Sequence, residues 1–161
     1  ILTLTRTEQL QDCSKMEESM IYSSNSPEET AKIASEFAGT LTGGDVICLN
    51  GDLGVGKTVF VQALAKALGI DDYINSPTFT IVNQYEGRLP LYHFDVYRIA
   101  DCDEMYEIGY DEYVYGDGVS VIEWAENIKE ILPEKRYEIT IKKDYDKGED
   151  YRSIEIETRG V

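Results

Sequence analysis

The sequence predicts an α/β layered domain, and three features carry that reading. Short apolar runs such as Val46-Ile-Cys-Leu49 and Val119-Ser-Val-Ile122 have the length and composition of strands buried on both faces. Segments with apolar residues at helical spacing lie between such runs. Strand, helix and strand therefore alternate along the chain, which is the succession of a sheet with helices packed on it. The 161 residues amount to one domain, large enough to bury a core without disulfide or metal staples.

Residues 1–19 are polar and mixed, with weak periodicity, and read as an N-terminal extension without an assigned element; residues 20–161 read as one domain. The chain opens on Ile1, no signal-peptide pattern is evident, and Met20 is a candidate native start. Met20-Ile-Tyr-Ser-Ser24 is a short strand candidate. Ser26-Pro-Glu-Glu29 then reads as a helix start: Ser26 can cap, Pro27 suits the first helical position, and Glu29 stands where a capping box wants it. Ile33, Phe37, Ala38 and Leu41 follow at helical spacing, and Gly43-Gly44 is the expected stop. After the Val46–Leu49 strand comes a glycine-rich turn from Gly51 to Gly56, then a helix from Lys57 to Leu68 closed by Gly69. Phe79–Tyr85 and Leu89–Tyr97 read as two strands around Glu86-Gly87. Asp101–Ile108 reads as a short helix, Val119–Ile122 as a strand, and Glu126–Leu132 as a helix stopped by Pro133. The tail alternates over Tyr137–Ile141 and Ser153–Glu157 around Asp146-Lys-Gly-Glu149, the pattern of a closing hairpin.

Composition excludes several classes of function. Lys and Arg number 15 against 31 Asp and Glu, a formal charge of −16, so the body repels phosphate backbones and is a poor grip for nucleic acid by itself. The longest run without a charged residue, Tyr73–Tyr85, holds Asn, Ser, Pro and Gln and is too short and polar to span a membrane. Cys13, Cys48 and Cys102 lie far apart and His93 is the only histidine, which argues against a Cys/His zinc site or a disulfide framework. Reduced thiols point to the cytosol.

One motif dominates the chemistry. Gly51-Asp52-Leu53-Gly54-Val55-Gly56-Lys57-Thr58 fits G-x-x-x-x-G-K-[ST], the phosphate-binding P-loop. Its glycines let successive backbone N–H groups turn inward around a β-phosphate, Lys57 adds a point charge, and the Thr58 hydroxyl can ligate Mg²⁺. The N-terminus of the following helix adds its dipole to the same anion site. Such a loop needs an acidic group at the end of a neighbouring strand, to hold the metal shell or orient water. Asp95 ends the run Leu91-Tyr-His-Phe-Asp95, and Glu123 ends Val119-Ser-Val-Ile-Glu123.

Other signals are weaker. Strand alternation points His93 and Asp95 the same way, which fits a hydrogen bond to a neighbour and leaves a catalytic base open. Ser76-Pro-Thr78 lies after the P-loop helix, where many P-loop proteins keep a γ-phosphate-sensing switch. From Ile99 to Ile128 there are acids but no Lys or Arg, a solvated face or a docking surface for a basic partner. No D-x-x-G or N-K-x-D follows the P-loop, so guanine-specific machinery is missing. Arg98 is the only arginine between Arg88 and Arg136, which disfavours a kinase with an arginine-bearing lid.

Four blocks in this order and spacing resemble the TsaE (formerly YjeE) family: Gly51-Asp-Leu-Gly-Val-Gly-Lys-Thr58, Ser76-Pro-Thr-Phe-Thr80, His93-Phe-Asp-Val-Tyr-Arg98 and Ile122-Glu-Trp-Ala125. The resemblance runs from about residue 20 to the tail hairpin. It implies a P-loop NTPase-like three-layer domain, with parallel central strands and flanking antiparallel strands. It also implies a small cytoplasmic ATPase that binds ATP and Mg²⁺. Such proteins work in bacterial tRNA threonylcarbamoyladenosine synthesis with the TsaB and TsaD proteins, meeting tRNA only through that complex. Carried over by motif, Lys57 and Thr58 hold phosphate and Mg²⁺, Glu123 joins the metal shell, and Asp95 supports the metal or its water. Thr78 belongs to the switch-like segment, and the turn from Ser26 to Glu28 lies near the nucleotide base. Trp124, directly after Glu123, is expected to report nucleotide binding. Val59 stands where the family often has a second Thr, which leaves Thr58 as the hydroxyl ligand on offer. A small-molecule kinase and a nucleotide-gated binding module without appreciable turnover are the alternatives.

Overall fold

In a computed structural model, which describes residues 17–160, the strands form one mixed sheet. They are β1 (Glu18–Ser24), β2 (Val46–Asn50), β3 (Val82–Tyr85), β4 (Leu91–Asp95), β5 (Val119–Glu123), β6 (Arg136–Lys143) and β7 (Arg152–Arg159), in spatial order β1-β7-β6-β2-β5-β4-β3. The central strands β6, β2, β5 and β4 run parallel. Antiparallel pairs flank them, β3 on β4 at one side and β7 and β1 beyond β6 at the other. Parallel central strands with antiparallel flanks are the arrangement expected above.

Helices cover both faces because the central strands are apolar on both. On β2, Ile47 and Leu49 face a core shared with Val121, Ile139, Ala34 and Ala38 of α1 (Pro27–Ala38), and Phe60 and Leu64 of α2 (Lys57–Ala67). Val46 and Cys48, on the alternate positions, face a second core. There they meet Phe94, Ile122, Met105 of α3 (Asp103–Glu107), and Tyr110 and Val114 of α4 (Tyr110–Val114). Each large side chain removed from water contributes about 1.5–3 kcal/mol, so the period of two along β2 ties one strand to two layers. Burial pushes the Cys48 thiol up to about 12, so this cysteine serves as a core hydrophobe and not as a nucleophile.

Local chemistry explains the element ends. Ser26 Oγ accepts from the Glu29 N–H at 3.1 Å, and Glu29 Oε2 accepts from the Asn25 N–H at 2.7 Å, a capping box whose return bond reaches one residue further back than usual. Helix α1 ends at Ala38, before the Gly43-Gly44 stop that the sequence suggests. Strand β1 begins at Glu18, two residues before the strand candidate at Met20, and Glu18 and Ser19 pair with Thr158 and Glu157. The rest of the proposed extension, residues 1–16 including Cys13, lies outside the described residues.

Two expectations need correction, and one element was not expected. The strand predicted from Phe79 starts only at Val82, because Thr78–Ile81 closes a turn in which the Ile81 N–H donates to the Pro77 carbonyl at 2.9 Å. The helix predicted over Glu126–Leu132 is instead a run of 3₁₀ turns over Ala125–Ile131, kinked at Ile128. Asn127 donates its side-chain amide to the Val96 and Tyr97 carbonyls while Ile128 is drawn into the core, and an ideal α-helix does not satisfy both. Helix α4 has no counterpart in the sequence reading; a single turn built on Tyr110 and Val114 is too short to show a period.

Candidate functional site

The P-loop joins the end of β2 to the start of α2, so it lies at the carboxyl edge of the parallel strands. Gly51 must be glycine: a Cβ there would stand 2.6 Å from the Ile141 carbonyl oxygen and 2.8 Å from Val55 Cγ1. Gly54 and Gly56 have φ of +74° and +110°, and a Cβ on either would meet nothing within 4 Å. Their backbone therefore borders open space of the kind a phosphate group fills. Arg152 of β7 braces the loop from behind, its Nε donating to the Val55 carbonyl at 2.7 Å.

Register then delivers the acids. β4 and β5 are parallel, and Asp95 is the direct partner of Glu123. Both are 9% exposed, and Lys57 is 8% exposed beside them, so this is a cluster of buried charges held by mutual contacts. Lys57 Nζ lies 3.9 Å from Glu123 Oε1. His93 Nε2 lies 2.9 Å from Glu123 Oε2. Asp95 Oδ1 accepts from the Tyr97 N–H at 3.1 Å, and its Oδ2 lies 3.4 Å from the hydroxyls of both Ser76 and Thr78. Asp95 is thus held in place by its own neighbours, while Glu123 Oε1 faces the P-loop lysine.

A cleft of about 400 Å³ gathers these groups: Gly54, Gly56, Lys57, Thr58, Thr78, His93, Asp95, Glu123 and Trp124 all line it. Leu53 lines this cleft and also a neighbouring hollow of about 440 Å³, which Gly51, Asp52 and Val55 share with Thr140, Lys143 and Tyr145. Glu28 lines neither. It is exposed on the first turn of α1, at the P-loop end of the sheet, because Ser24 stands opposite Arg152. Sequence reasoning missed Arg152, which acts on a residue 97 positions away and carries no local signal. Arg98 does not enter the cleft; its guanidinium lies over the exposed Phe79 ring at 4.8 Å.

The donor set can be tested against a metal. No group of three or more His, Cys, Asp or Glu side chains among the described residues could cage an ion. A hard cation such as Mg²⁺ does not need one, since it commonly takes one or two protein oxygens and completes its shell with phosphate and water. Thr58 and Glu123 offer two hard oxygens in the same cleft and fit that pattern.

Trp124 breaks the alternation of β5. Its φ of 63° ends the strand and turns the indole to line the cleft, 5.0 Å from Lys57 Nζ and 4.8 Å from the Tyr97 ring. A phosphate that draws the ammonium toward the loop changes the field at the indole. Saturating Mg-ATP is therefore expected to change tryptophan-selective emission, and Glu123→Ala to reduce the metal-dependent part of that change. Flat emission across a titration that calorimetry shows to saturate would place the indole outside the response.

Comparison with known proteins bears on this cleft. A family model described as threonylcarbamoyl adenosine biosynthesis protein TsaE matches residues 24–154. A Bacillus subtilis protein named tRNA threonylcarbamoyladenosine biosynthesis protein TsaE is 50% identical over 129 residues, covering 80% of this chain and 78% of that one. A Treponema pallidum protein of the same name is 48% identical over 118 residues, covering 73% and 86%. The crystal structure of Bacillus subtilis YdiB superposes with a TM-score of 0.77 at 42% identity, over 90% of this chain and 88% of that one.

Proposed function

We propose, for a chain that belongs to the TsaE family of threonylcarbamoyl adenosine biosynthesis proteins, an Mg²⁺-dependent ATPase that serves tRNA threonylcarbamoyladenosine formation. The observation that carries the reading is convergence: a P-loop lysine and threonine share one cleft with two carboxylates from the ends of adjacent parallel strands. The P-loop amides and Lys57 bind the triphosphate, and the base lies toward the hollow beside Thr140 and Tyr145, on the flank that leads to Ser26–Glu28. Thr58 and Glu123 Oε1 hold Mg²⁺, which when bound neutralises charge on the phosphate oxygens. Asp95 keeps Thr78 and Ser76 at the γ-phosphate end and orients water there.

Among the described residues, no arginine lines the cleft where a phosphate would be transferred. P-loop enzymes without one in cis commonly borrow charge or positioning from a partner. The TsaB and TsaD proteins are the proposed partners. A body of charge −16 leaves tRNA contact to them, and no described helix is long and apolar enough to cross a membrane. We place the work in the cytoplasm. The expected result is slow phosphate release by the isolated chain and an altered rate when TsaB and TsaD are added. Fast release indifferent to both proteins would count against the reading, and a phosphorylated small acceptor in place of free phosphate would make the chain a kinase.

A further inference from the structure

We propose that His93 is a positioning residue that aims Glu123 at the cation of the bound nucleotide; the proposal rests on the reading of Glu123 as a metal-shell carboxylate. The imidazole is 3% exposed, and its two nitrogens have different surroundings. Nε2 lies 2.9 Å from Glu123 Oε2, whereas Nδ1 is buried with no hydrogen-bond partner among the described residues. An ionised carboxylate only accepts, so the bond requires the hydrogen on Nε2.

Packing alone gives no reason for an imidazole here. His93 stands opposite Val121 on β5 and Asn83 on β3, one pleat along β4 from Leu91, which is fully buried in the core beneath α2. An apolar side chain would fill that place without stranding a buried nitrogen. A histidine recruited to cross-link the fold would use both nitrogens. This one makes a single polar contact, and it goes diagonally to the carboxylate two residues beyond its register partner.

The consequence is a division of labour between the two oxygens of Glu123. Oε2 is held by the ring, which leaves Oε1 directed at the cleft, 3.9 Å from Lys57 Nζ. Without the ring, the contact with Lys57 at 3.9 Å would be left to steer the carboxylate, and side-chain rotation would cost the metal shell its geometry. Groups that orient metal ligands in this way typically matter by about 10–100-fold in affinity or activity.

The test compares His93→Leu, which fills the space without a donor, with His93→Gln, whose amide offers N–H at a reach similar to Nε2. ATP affinity is measured by calorimetry in Mg²⁺ and in EDTA, beside turnover, for both variants, for Glu123→Ala and for His93→Leu combined with Glu123→Ala. His93→Leu is expected to lose about 10–100-fold of the metal-dependent gain while EDTA affinity stays near the parent's. His93→Gln should recover most of that loss, and the double variant should be no worse than Glu123→Ala. If His93→Leu does not fold, His93→Asn, polar but too short to reach, replaces it. Parental metal dependence in the leucine (or asparagine) variant overturns the proposal, as does a glutamine variant no better than leucine, or losses that multiply in the double variant. A Glu123→Ala protein with parental metal dependence would instead overturn the Glu123 reading and this proposal with it, so the two failures are distinguishable.

Discussion

Lys57→Ala is expected to abolish most nucleotide affinity. The lysine is the first residue of α2, 8% exposed, and among the described residues the only Lys or Arg lining the cleft. Its ammonium is desolvated by the same walls that would enclose a triphosphate, so its contact with phosphate is not screened as a surface pair would be. Removing one partner of such a contact costs about 2–5 kcal/mol, which is roughly 30- to several-thousandfold in dissociation constant. A second cost adds to it: Glu123 would keep its hydrogen bond to His93 but lose the cation 3.9 Å away, and its carboxylate would then repel the incoming phosphates. Alanine is a good helix former, so α2 should survive the change. Calorimetry on the folded variant is the check, and near-parental ATP binding would contradict the assignment of this loop.

Glu123→Ala and Asp95→Ala should fail at a different step. The P-loop amides remain, so ATP still binds, but turnover should fall by on the order of a hundredfold or more. For Glu123 the cause is loss of a hard oxygen at the metal. For Asp95 it is loss of the acceptor that the Tyr97 N–H and the Ser76 and Thr78 hydroxyls share, which frees the segment leading into the strained turn at Ile81, where φ is +67°. The two variants should therefore separate in metal dependence: Glu123→Ala loses the benefit of Mg²⁺ in binding, and Asp95→Ala retains more of it. Parental hydrolysis by both would mean that another acid activates the water.

What could be read from the chain followed the range of the interactions involved. The α1 cap was legible because its bonds stay within Asn25, Ser26 and Glu29, with Pro27 suited to the first turn, and the hairpin that closes the sheet was legible from alternation on each side of a turn. The turn at Thr78–Ile81 was not. Its residues have the composition of a strand, and what prevents one is the tie from the Asp95 carboxylate to Ser76 and Thr78, a contact across 17 to 19 positions. The segment after Trp124 likewise has the period of a helix, but Asn127 reaches back to the carbonyls of Val96 and Tyr97, some 30 positions earlier, and kinks it.

The phosphate-binding reading was legible in one stretch of chain: residues 51–58 hold the glycines, the cation and the hydroxyl that a phosphate cradle needs. The sequence also determined that two strand-end carboxylates were available. Strand order and register set what those carboxylates meet. Parallel pairing of β4 with β5 set Asp95 opposite Glu123, the left-handed backbone of Trp124 just past β5 turned its own indole into the cleft, and β7 brought Arg152 against the loop from behind. His93 and Glu123 are separated by 30 positions and meet because that register places them on one face, one pleat apart. Contacts of this kind depend on strand order and register, which come from burying both faces of the sheet at once and leave no pattern in any single stretch of chain.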